Sequence, residues 1–133
     1  GLAFASAPVA AVHALAYPLG GRFHVPHGLS NALVLLPVLR FNLQAAELLY
    51  ADLAEVMPDD VKSSQARGGE ALIAALETLL ADMPIPRRLS DVGVMEADLD
   101  GLADDAMQVQ RLLVNNPREM GRHDALAIYH SIL

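Results

Sequence analysis

The chain has 133 residues, of which 53% are hydrophobic, 19% charged and 5% aromatic, which suits one globular domain with a sizeable core and excludes disorder. Sixteen Asp and Glu against nine Lys and Arg give a formal charge of −7, and no basic cluster extends beyond Arg87-Arg88, so nucleic acid and anionic membrane are poor partners. The lack of cysteine rules out a disulfide framework and thiolate chemistry, and it is compatible with a cytoplasmic protein.

No charged residue occurs from Gly1 to Gly21, which raises the question of a membrane span or signal peptide. The stretch is rich in Ala and Gly, carries Pro8, His13 and Pro18, and lacks a basic leader, so it reads as a helix buried on most sides. The chain opens on Gly inside apolar sequence, and the expectation is a piece of a longer protein. The first helix is expected over about residues 3 to 19, bent at Pro8 and stopped by Gly20-Gly21. Phe23 to Pro26 reads as a loop. A second helix should begin at His27 or Gly28 and run to about 39, with Pro37 as a kink or early stop.

LQAAELLYADLAEVM predicts a helix over about 43 to 57, closed by Pro58-Asp59-Asp60. Leu72, Ile73, Leu76, Leu79, Leu80 and Met83 predict another over about 65 to 83, after which Pro84 and Pro86 lead into an extended connection. Two acidic-faced helices with a break should cover about 96 to 114, followed by NNPR. A last helix over about 122 to 132 carries Asp124 in its first turn, where the dipole favours an anion. Strand signals are weak throughout, so the fold class is all-α, a helical bundle forming a single domain over 1–133.

Chemistry concentrates in VHALAYPLGGRFHVPHG, which holds three of the five histidines: His13, His24 and His27. His13 and Tyr17 lie four apart and share a helix face, with Ser6 and Val9 close to it. His27 falls at the N-terminal mouth of the second helix, where the dipole keeps an imidazole neutral and able to offer a lone pair. A Gly-Gly turn would let His13 and His27 meet. Taken alone, a histidine in an apolar helix is more often a hydrogen-bonded core residue than a ligand, and two of them bracketing a Gly-rich turn make the two readings about equal. His24 and His27 form an H-x-x-H pair on a loop, which is not the helical zincin spacing. Zinc or ferrous iron needs three or four protein ligands, commonly with a carboxylate. No Asp is followed four residues later by His; Glu119 and His123 have that spacing, but capping or exposure accounts for them. No GxGxxG or GxxxxGK loop is present to cradle a phosphate. The residues amount to half of an active site.

The run AVHALAYPLGGRFHVPHGLSNALVLLPVLRFN closely resembles the signature of the iron-containing (group III) alcohol dehydrogenases: histidine, PLGG, PHG, NA and an apolar helix ending RFN. The likeness continues through RRLSDVGV and NNPRE to DALAIYHSIL. It implies a two-domain, dehydroquinate-synthase-like architecture, with a nucleotide-binding α/β domain before an all-helical domain and a divalent metal in the cleft. The chain would then be the later part of the helical domain, with the nucleotide-binding domain missing. The resemblance implies His13 and His27 as metal ligands, the other two being an Asp and a His at D-x-x-x-H spacing upstream. Tyr17 stands where many relatives carry a histidine facing nicotinamide and substrate, which makes its phenol the candidate catalytic and cofactor-contacting group. His27 would also lie near the nicotinamide, and His24 would be a cleft-lining or exposed loop residue. LLPVLRF departs from the relatives' Pro-His pair one step earlier, a difference in helix packing.

The implied cofactors are Fe2+ (or Zn2+ or another divalent metal) and NAD or NADP, and the implied partners are a small alcohol or aldehyde, the missing domain and a second copy in a homodimer. The reaction would be alcohol/aldehyde interconversion, with the isolated 133 residues inactive. A zinc polyol dehydrogenase, a metal-independent dicarbonyl-acid reductase and a non-catalytic helical interaction module are the alternatives.

Overall fold

The computed structural model describes residues 10–133, and every regular element among them is helical. The helices are α1 (Ala10–Phe23), α2 (His27–Glu55), α3 (Gly69–Ala81), α4 (Leu99–Met107), α5 (Gln110–Leu113) and α6 (Arg122–Ser131). Short 3-10 turns cover Asp59–Val61, Leu89–Val92 and Glu96–Asp98. The expected start near residue 3, the bend at Pro8, and Ser6 and Val9 lie outside the described residues.

The helix α1 is sunk on most sides, as its composition predicts: Ala10, Ala11, Val12, Ala14, Leu15, Ala16, Pro18 and Leu19 are all buried. Such small side chains let α2, α4 and α5 approach its backbone closely. Pro18 has no N–H to return to the Ala14 carbonyl, so the helical ladder is weakened there. The neighbouring Leu15 carbonyl accepts a hydrogen bond of 2.7 Å from the buried Tyr129 hydroxyl on α6. Burial raises the phenol's pKa well above its ordinary value, so it remains a donor. Tyr129→Phe is expected to cost about 1 kcal/mol, read as a lower urea midpoint with an unchanged slope.

Gly20-Gly21 does not stop α1. Neither glycine has a positive φ, and the helix continues to Phe23. The stop is His24, which is left-handed at φ 55°. Its N–H donates to the Gly20 carbonyl at 3.1 Å, and the Val25 N–H reaches the Leu19 carbonyl at 3.4 Å. The first of these bonds is that of an αL closure, with histidine in the position that glycine usually fills. His24→Gly is therefore expected to raise stability by about 0.5–1 kcal/mol, seen as a higher melting temperature.

The two helices expected over 27–39 and 43–57 run on as one element, α2, with the kink between them at Ala46 rather than at Pro37. Pro37 sits inside α2 without ending it, and the only non-helical backbone inside is at Ala46 (φ −126°, ψ 20°). Packing overrides the local breaker. Ser30, Val34, Val38, Asn42, Ala46, Tyr50 and Ala54 are all buried, each four residues after the last. A four-residue repeat precesses by about 40° per step on a 3.6-residue helix, so the buried stripe winds around α2. Its first half enters a core with Leu15, Leu19, Leu102, Ala106 and Tyr129, and its second half a smaller core with Leu72 and Ile73 of α3. By length and composition alone α2 could cross a bilayer, but its stripe is occupied by α1, α3 and α6.

The helix α3 is shorter than the expected 65–83. Gly68 takes a positive φ, and the Glu47 carboxylate of α2 accepts the Gly69 N–H at 2.6 Å, which fixes the start. Arg87 donates to the Leu80 and Ala81 carbonyls and fixes the end. The expected break within 96–114 falls between α4 and α5. In the last helix Asp124 accepts the Gly121 N–H at 2.9 Å, the capping role its position predicts.

Candidate functional site

Three residues, 24–26, join α1 to α2, and this tight link rather than a Gly-Gly turn places His13 beside His27. Their rings stack in parallel, with centroids 5.6 Å apart and planes inclined by 6°. His13 is half-buried on α1, and His27, the first residue of α2, is exposed. No side chain caps the α2 N-terminus, where His27 is the first residue. One turn on, Asn31 places its amide nitrogen 3.2 Å from His27 Nε2. The Asn31 Oδ1 is buried and has no hydrogen-bond partner among the described residues. Asn31 thus steadies the ring on one edge.

His24 is exposed and takes no part in the stack. Nor does Glu119 with His123, whose exposed ring lies 3.2 Å from Asp124. Among the described residues no three His, Asp or Glu side chains converge on one point. The chain itself offers two imidazole donors.

Tyr17 is 70% exposed, one turn beyond His13, and lines a cavity of about 640 Å3. The rest of the wall is Pro18, Gly21, Asp105, Gln108, Val109 and Arg111. The residues from the α4–α5 junction were not legible in the sequence, because only the packing of that break against α1 brings them here. Asp105 is engaged: Arg22 Nε reaches its Oδ2 at 2.5 Å and Nη2 its Oδ1 at 3.2 Å. The hydrogen bond from Arg22, and then its charge, hold the carboxyl below the usual aspartate range. A lowered carboxyl pKa contributes stability above the unfolded value, and the contribution is lost as pH falls through the folded one. At neutral pH the acid in this wall is ionised and paired.

The whole chain, residues 1–133, matches the profile of the Fe-containing alcohol dehydrogenase family, C-terminal. It is 39% identical over 132 residues to long-chain-alcohol dehydrogenase 1 of Geobacillus thermodenitrificans (strain NG80-2), covering 98% of this chain and 33% of that protein. It is 38% identical over 130 residues to 1,3-propanediol dehydrogenase of Klebsiella pneumoniae, covering 97% and 33%. The fold superposes on the crystal structure of a 1,3-propanediol oxidoreductase with a TM-score of 0.82 at 35% identity, covering 92% of this chain and 32% of that one. The chain spans about a third of the length of these relatives. With its helical fold and its whole length matched, the chain belongs to the Fe-containing alcohol dehydrogenase family.

Proposed function

We propose that these residues form the metal-binding helical part of a nicotinamide-dependent alcohol dehydrogenase, preceded in the full-length protein by a nucleotide-binding domain, and that it interconverts a small alcohol and its aldehyde. The parallel stack of His13 and His27 carries the reading. Neutral imidazoles suit ferrous iron and zinc alike, and two adjacent rings fit the group as half of a three- or four-ligand set. An Asp and a His from the preceding sequence would complete it.

When bound, the metal supplies Lewis-acid polarisation of the substrate oxygen, and the nicotinamide carries the hydride. His13 and His27 would supply imidazole nitrogens to the metal. Asn31 restrains the His27 ring. The Tyr17 phenol, on the next turn from His13, is placed to hydrogen-bond a substrate hydroxyl or the edge of the cofactor. The face bearing these groups is open, and a preceding domain would exclude water from it.

The test is made on the full-length protein. About one divalent ion per chain is expected, with reduction of NAD or NADP by short primary alcohols followed at 340 nm. The 133 residues alone are expected to give no turnover. Failure of the full-length protein with both cofactors, or turnover by the isolated residues, overturns the reading.

A further inference from the structure

We infer that Asn31 guards the metal-binding atom of His27: its amide holds the lone pair of Nε2, and a divalent ion binds there by displacing it. The inference rests on the proposed reading of His27 as a metal ligand. It adds which ring nitrogen is offered and what competes for it.

An amide nitrogen has protons to give and no lone pair to lend, so the 3.2 Å contact between Asn31 Nδ2 and His27 Nε2 runs in one direction. The Asn31 N–H donates, Nε2 accepts, and the proton of the neutral ring lies on Nδ1. Nε2 is therefore the nitrogen that carries a lone pair, and Asn31 already engages it. An ion and the amide cannot share that pair. Binding the ion breaks the contact, and the strength of the contact is lost from the affinity.

The contact is built to yield. The other end of the same amide, Oδ1, is buried without a hydrogen-bond partner among the described residues, which weakens the hold of the side chain on its place. Turning the amide away from His27 moves Oδ1 out of that position as well. The backbone beneath has no need to follow. Ser30 is buried, and its N–H donates to the Pro26 carbonyl at 2.8 Å while its hydroxyl donates to the Val25 carbonyl at 3.3 Å. These bonds tie the first turn of α2 to the link, so the moving part is the Asn31 side chain alone. His13, its ring nearly parallel to that of His27 and 5.6 Å away, would offer the ion a second nitrogen. The amide holds one lone pair and has nothing comparable to set against two.

The experiment uses the full-length protein, stripped of metal and titrated with Zn2+ against a competing chelator. Asn31→Leu and Asn31→Ala leave no donor at Nε2. Each is expected to bind Zn2+ about 2- to 10-fold more tightly than the unsubstituted protein, the worth of one neutral hydrogen bond. Histidine-selective 15N NMR of the stripped protein should place the His27 proton on Nδ1, and both variants should redistribute it toward Nε2. Adding Zn2+ should shift the Nε2 resonance. Equal affinity overturns the inference. So does a loss of about 10- to 100-fold, which would make Asn31 a support of the bound ring. A proton on Nε2 before substitution, or Zn2+ at Nδ1, overturns it as well. The reading beneath it fails differently: if His27→Ala binds Zn2+ as tightly as the unsubstituted protein, His27 is no ligand and both fall. If His27→Ala loses the ion while the Asn31 variants change nothing, the ligand reading stands and the guard alone falls.

Discussion

His13→Ala or His27→Ala in the full-length protein is expected to lower affinity for the divalent ion by more than about 100-fold, because losing a residue that merely orients a ligand already costs about 10- to 100-fold. Alcohol turnover should fall in step with metal content. The measurement is the metal-to-protein ratio after dialysis against a weak chelator, alongside a melting curve. His27 is exposed and His13 only half-buried, so neither substitution leaves a large void. A fold that melts at nearly the ordinary temperature without its metal is the expected result. If His13 were instead a core histidine, the opposite pattern would follow, with a lowered melting temperature and unchanged metal content.

The largest effect on stability is expected from a joint far from the histidines. Asn42 on α2 and Asn116 in the NNPR connection face one another with both amides buried. Asn42 Nδ2 donates to Asn116 Oδ1 at 2.9 Å, and Asn116 Nδ2 donates back to Asn42 Oδ1 at 2.8 Å. Asn116 also donates to the Arg118 carbonyl, while Arg118 lies 4.1 Å above the Phe41 ring and donates to the Phe41 carbonyl at 2.9 Å. Asn42→Leu removes two hydrogen bonds and leaves the Asn116 oxygen buried without a donor, which should cost about 2–4 kcal/mol in denaturant titrations. Because each amide is the other's partner, Asn42→Leu with Asn116→Leu should cost less than the sum of the single changes. Strict additivity would show that the pair is not a coupled unit.

That joint also shows what the sequence can and cannot disclose. RFN and NNPR stand out as separate motifs, 74 positions apart at Asn42 and Asn116. Nothing in either one announces that they interlock, since the pairing is set by where α5 settles on α1 and α6 on α4 and α2. The helices themselves are legible because apolar spacing survives in the sequence; their ends are less so. Gly20-Gly21 and Pro37 are local signals, and the packing of α1 and α2 overrules both. His24, with no glycine-like signature, closes α1 instead. The meeting of His13 and His27 is foreseeable, although a three-residue link produces it rather than the glycines. Arg111 is foreseeable by no local rule: it sits in the apolar run VQRLLV, and only the packing of α5 against α1 puts it in the same cavity wall as Tyr17.

The winding stripe on α2 has a mechanical consequence. Because its two halves answer to different cores, the helix acts as an axle shared by two bearings rather than as one wall of a single box. Damage to the bearing made by Tyr50, Leu72 and Ile73 loosens α3 while α1 still grips Val34 and Val38. Amide exchange should therefore quicken along α3 before it quickens beside His27. The end of the axle that carries the histidine is the end held by the larger core.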